Sequence, residues 1–115
     1  KSYSADYWRA QAAKRQALMN DYLWHEAEGT FYDFNTVKGA PQPFLSATNL
    51  LPLWAGCCTP AQAEKLVRTQ LPQLLQVGGI MSAQVCSDAP GPERQWDGPY
   101  GWAPHQILIW EGLQR

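Results

Sequence analysis

Residues 95–104 read Gln-Trp-Asp-Gly-Pro-Tyr-Gly-Trp-Ala-Pro, and this decapeptide leaves its backbone few choices. Two Gly and two Pro within it forbid a continuous helix until Ala103. The result is a stiff loop that must still find a use for Trp96, Tyr100 and Trp102. Tryptophan and tyrosine rings are costly to leave in water and are normally buried or used for contact. Gln95 and Asp97 add an amide and a carboxylate to the same loop. Flat rings beside planar hydrogen-bonding groups suit a sugar: its C–H face packs on a ring, and its hydroxyls pair with Asp or Gln.

The remaining composition narrows the partners. Net charge is −1 over 115 residues, which gives no electrostatic reason to expect a nucleic acid or an acidic membrane. No apolar run approaches the roughly 20 residues of a membrane-spanning helix, so neither nucleic acid nor membrane is an expected partner. Six Trp and five Tyr against three Phe favour rings with a polar edge. Cys57, Cys58 and Cys86 are odd in number and include an adjacent pair, which is no disulfide framework. Free thiols point to a reducing, cytoplasmic setting. His25 and His105 lack metal-site spacing, and no cofactor is expected.

Along the chain, Ser4 caps a predicted helix over about 5–23, with Tyr7, Ala10, Leu18 and Tyr22 on its apolar stripe. Residues 30–34 read as an extended segment or one strand of a small hairpin, and 39–43 are too rich in Gly and Pro for regular structure. Residues 45–57 form a helix apolar on most faces, its regular part starting at Pro52. Thr59-Pro60-Ala61-Gln62 is a capping box opening an amphipathic helix that Pro72 ends or kinks. Gly78-Gly79 turns the chain, 80–85 is extended, 87–94 is a loop, and Ala103-Pro104 opens a last helix over 105–113. The pattern by itself reads as mostly α with long loops.

Gln95-Trp96-Asp97, Pro99, Gly101-Trp102-Ala103-Pro104 together closely resemble a signature of the trehalases, the glycoside hydrolases that split α,α-trehalose into two glucose molecules; all eight fixed positions are present. Leu23-Trp24 with Glu28-Gly29-Thr30-Phe31-Tyr32-Asp33-Phe34, Ser46-Ala47-Thr48-Asn49 with Pro52-Leu53-Trp54-Ala55-Gly56, and Gly78-Gly79-Ile80 resemble other stretches of that family in the same order. His105-Gln106 after the signature looks like the neutral, fungal-type branch. Gly98 and Tyr100 depart from the bulkier residue and the Asn that many members carry there.

The resemblance implies an all-α fold, one segment of an (α/α)6 toroid with sugar-binding loops at one end. It implies trehalose as the small-molecule partner and an inverting mechanism. Inversion needs an acid and a base carboxyl separated by roughly 6.5–9.5 Å. In the family these are an Asp upstream and a Glu in a Gly-rich motif downstream, and neither motif occurs here. Residues 1–115 are therefore expected to be part of a trehalase catalytic domain without catalytic residues of its own. The chain starts on a helix and stops within one, which fits a partial chain.

The expected substrate-binding residues are Gln95, Trp96, Asp97, Trp102 and Asn49. Trp102 is the first choice for stacking on glucose, while Trp96 also reads as packing that holds the loop. Asp97 either accepts sugar hydroxyls or caps its own loop, and Gln95 is a sugar partner or a buried structural amide. Asn49 is either cavity-facing or a helix-start amide. Tyr32-Asp33 reads as packing near the site, and Glu111 as a structural or surface carboxylate. Two other readings compete: a non-catalytic helical carbohydrate-binding module, and another α/α-toroid glycosidase acting on a different disaccharide.

Overall fold

A computed structural model describes residues 2–84 and 96–115. The first helix, α1 (Ala5–Tyr22), starts where expected, with the Ser4 hydroxyl accepting from the Tyr7 N–H. Two short hairpins follow. β1 (Trp24–His25) pairs antiparallel with β2 (Thr30–Phe31), and β3 (Asp33–Asn35) with β4 (Ala40–Gln42). A 3-10 turn (Ala47–Leu50) leads into α2 (Leu51–Trp54), then α3 (Pro60–Leu74). β5 (Leu75–Gln76) and β6 (Gly79–Ile80) make a third hairpin, and α4 (Ala103–Leu113) is the last element.

Helices dominate, but the expectation of an all-α segment omits these three hairpins. Residues 39–43 were expected to lack regular structure, yet Ala40–Gln42 is a strand with Pro41 opposite Phe34. A two-stranded ribbon has two free edges, so a proline that donates nothing is tolerated there. The helix expected over 45–57 is shorter. Leu45 and Ser46 run extended, and α2 closes at Trp54, just before Gly56 at φ +66°. Pro72 neither ends α3 nor stops its last turn: the helix continues to Leu74 before Leu75 turns extended. The expected extended stretch over 80–85 is strand only to Ile80, with one further bridge from Ala83 to Ser46; Val85 lies outside the described residues.

The core gathers where α3, α4, the 3-10 turn and the hairpins meet. Leu50, Leu66, Leu74 and Ile109 are fully buried, joined by Phe31, Leu45, Leu53, Ile80 and Met81. Burial of such side chains is worth about 1.5–3 kcal/mol each. The capping box of α3 forms as read: Thr59 Oγ1 accepts from Gln62 N at 3.2 Å, and Gln62 Oε1 accepts from Thr59 N at 2.9 Å. α3 then pins the first hairpin through two polar side chains on its packed side. Thr69 Oγ1 donates to Gly29 O at 3.1 Å, and buried Gln70 donates to Glu28 O at 3.1 Å. α2 and α4 touch at Gly112, where a Cβ would fall 2.6 Å from the Trp54 backbone nitrogen. Only a glycine lets the two backbones come so close.

α1 packs differently. None of its residues is buried, and at the end of its apolar stripe Tyr22 meets the Phe34 ring edge-on at 5.6 Å. It is tethered by amides instead: Gln16 to Gly56 O at 3.3 Å, Asn20 to Cys57 O at 3.2 Å, and Gln62 to Asn20 Oδ1 at 2.7 Å.

Candidate functional site

The stiff loop is described from Trp96 onward; Gln95 lies outside the described residues. Trp96 and Trp102 face each other with ring centroids 4.1 Å apart and planes inclined by 51°. The His105 ring sits edge-on to both, at 5.4 Å and 5.0 Å. Three rings thus make one cluster at the entrance to α4. Trp102 is half-buried, and Trp96, also read as packing, is 45% exposed. Tyr100 is exposed to the same degree. The cluster presents aromatic surface outward while His105 closes it from beneath. His105 is buried, its Nδ1 has no hydrogen-bond partner among the described residues, and burial lowers its pKa.

Asp97 is exposed on the turn beside Trp96, and its carbonyl accepts from Tyr100 N at 3.2 Å. The loop is then fastened from below. Ser82 N donates to Tyr100 O at 2.7 Å, and Trp102 O accepts from His105 N and Gln106 N. The Gln106 carboxamide accepts from Ile80 N at 2.8 Å and donates to Ile80 O at 2.6 Å.

Asn49 stands elsewhere. It lies in the 3-10 turn, buried, and its amide is engaged by its own chain. Nδ2 donates to Phe44 O at 3.0 Å and approaches Thr30 Oγ1 at 3.5 Å, while Oδ1 accepts from Ser46 Oγ at 3.0 Å. Asn49 lines a cleft of about 240 Å³ with Tyr32, Asp33, Ser46 and Thr48. The structure therefore brings Trp96, Asp97 and Trp102 together and sets Asn49 with Tyr32-Asp33. The two groups are joined through Ser82, whose carbonyl accepts from Ala47 N at 2.9 Å while its N–H serves Tyr100.

Most carboxylates near these elements are already paired. Glu111 accepts from Trp54 Nε1 at 3.1 Å, tying α4 to α2, as a structural carboxylate would. Glu28 takes the Tyr32 hydroxyl, whose pKa is pushed up to about 12 by burial first and by Glu28 second. Glu26 holds Lys65 and accepts from Trp24 Nε1, and the Lys65 hydrogen bond lowers its pKa. Burial, then Cys57, lifts the Cys58 thiol to about 11, so it behaves as a small apolar side chain. Cys86 lies outside the described residues. Sequence reasoning missed Ser82 and gave no role to His105 or Gln106. Gln106 sits three residues beyond Ala103, and the only hint of its task was the Gly78-Gly79 turn that it meets.

Known proteins match this chain along its whole length. The family model described as Trehalase covers residues 1–115. The cytosolic neutral trehalase of Emericella nidulans is 42% identical over 118 residues, spanning 99% of this chain and 16% of that protein. The cytosolic neutral trehalase of Saccharomyces cerevisiae is 43% identical over 111 residues, spanning 93% of this chain and 15% of that protein. The solved structure of a neutral trehalase from Saccharomyces cerevisiae superposes with a TM-score of 0.82 at 40% identity, over 96% of this chain and 21% of that one. The chain thus spans about one-sixth of the length of these relatives. With the signature loop, the hairpin, the Ser46–Asn49 turn and the whole-chain match all agreeing, this chain belongs to the trehalase family.

Proposed function

We propose that the protein carrying this chain hydrolyses α,α-trehalose to two glucose molecules, in the cytosol, as its relatives' names describe for them. Residues 1–115 contribute part of the catalytic domain, a segment of an (α/α)6 toroid, and the two catalytic carboxyls come from outside them. The observation that carries this reading is the Trp96–Trp102 ring pair, exposed at Trp96 and half-buried at Trp102, within a chain that matches the Trehalase family over its full length. Trp102 supplies the stacking face, with Trp96 extending it. Asp97 and Gln95 bind hydroxyls beside the rings. Asn49 acts at one remove, holding the turn that anchors Ser82, because its amide is already spent on Phe44, Thr30 and Ser46.

The mechanism in this reading is inversion by direct attack of water. Trehalose joins two α-anomeric carbons, so inversion releases one α-glucose and one β-glucose, whereas retention releases α-glucose alone. The test is an assay of the complete gene product on trehalose, with anomers read by NMR before mutarotation. Equal α and β signals at the earliest times are expected. Release of α-glucose alone would overturn inversion. Hydrolysis of maltose but not trehalose would move the reading to another disaccharide, and no hydrolysis with retained sugar binding would leave a binding module.

A further inference from the structure

The Gln106 carboxamide copies a strand. It accepts from Ile80 N and donates to Ile80 O, so one side chain exchanges both bonds with a single residue, as a hydrogen-bonded pair does in an antiparallel ladder. The approach is close enough to exclude side chains nearby. A Cβ on Gly79 would fall 2.7 Å from Gln106 Oε1, and one on Gly101 would fall 3.3 Å from Ile80 O. Two residues past Ile80, Ser82 N holds Tyr100 O at 2.7 Å. Trp102 therefore lies between two fastenings on one strap: Tyr100 through Ser82, and Gln106 through Ile80. The strap is itself anchored, with Met81 N on Leu74 O at 2.9 Å and Ser82 O taking Ala47 N.

We propose that Gln106 is a positioning residue for Trp102, acting through Ile80 and touching no substrate. This rests on the trehalose reading above. An amide is required because the partner peptide presents a donor and an acceptor together. A carboxylate satisfies the Ile80 N–H but meets the Ile80 carbonyl with like partial charge; a protonated carboxyl restores the missing donor. Gln106→Glu is therefore a switchable version of the same clamp, and Gln106→Met is a clamp removed at nearly constant volume.

The experiment uses the full-length protein. Gln106→Met should lose roughly tenfold or more in kcat/KM for trehalose, since small misplacements of a binding group are that costly. In Gln106→Glu, the ratio of variant to wild-type kcat/KM should climb as pH falls and the carboxyl takes up its proton. A merely structural role would lower the thermal midpoint without this pH-dependent ratio. Wild-type kcat/KM in Gln106→Met, or a flat ratio across pH for folded Gln106→Glu, would overturn the proposal. Should wild-type protein release no glucose, the trehalose reading fails separately. Hydrogen exchange of peptides spanning 79–106 then decides the clamp: faster exchange in Gln106→Met supports it, and equal protection overturns it.

Discussion

The Ser46–Asn49 turn and the loop from Trp96 to Trp102 carry similar chemistry and use it in opposite ways. In the turn, the buried polar side chains are spent within the chain: Ser46 reaches Thr48 and Asn49, and Asn49 reaches Phe44 and Thr30. In the loop, backbone groups do much of the fastening, and Trp96 and Tyr100 are each 45% exposed. A residue can serve a ligand only with capacity that its own fold has not consumed. In the function proposed above, the loop is the contact surface and the turn its foundation, with Ser82 joining their backbones.

The largest expected effect breaks the loop's side of the comparison. Trp102→Ala in the full-length protein should cut kcat/KM for trehalose by about a hundredfold, with little change in thermal midpoint, because a stacking face is lost. Wild-type kinetics would remove the stacking role. Asn49→Leu should do the reverse. It strips the partner from Phe44 O and one of the two partners from Ser46 Oγ, costing about 1–3 kcal/mol of stability. A raised KM at an unchanged midpoint would instead place Asn49 against the sugar. Asp97→Asn should fall between them in activity, lowering kcat/KM about tenfold while the protein stays folded, as a charged hydrogen bond to a hydroxyl is weakened. Loss of folding in that variant would return Asp97 to a loop cap.

These contrasts also show what was legible beforehand. The caps at Ser4 and Thr59 were readable because a cap is a local contract between residues three apart. The start of α4 at Ala103 was equally local. The strand at Ala40–Gln42 was not readable, since a proline's tolerance depends on which edge of a ribbon it occupies. The apolar stripe of α1 was visible as a pattern, but periodicity says only that a face is apolar, not what covers it. At the site, the signature singled out Trp96, Asp97 and Trp102 by type. Nothing in the spacing revealed that Gln106 would meet Ile80, twenty-six residues away, or that Asn49 would be consumed by Phe44 and Thr30. Long-range pairings of this kind are decided by packing, which a linear pattern does not carry.

The smallest expected effect tests what lies beneath the aromatic pair. His105 is buried against Trp96 and Trp102, and burial lowers its pKa below the ordinary value. The folded state therefore prefers the neutral ring, while the unfolded chain takes up a proton near pH 6.5. With the folded pKa lowered, this contribution to stability is fully present above that unfolded value. It declines as pH falls below it, because the unfolded state then binds more protons. In the full-length protein, His105→Leu should remove the component, so the variant's thermal midpoint should drop less than wild type's between pH 7.5 and 5.5. Parallel midpoint curves for the two proteins would mean that the ring titrates as freely folded as unfolded, and that the cluster is open to water from below as well as above.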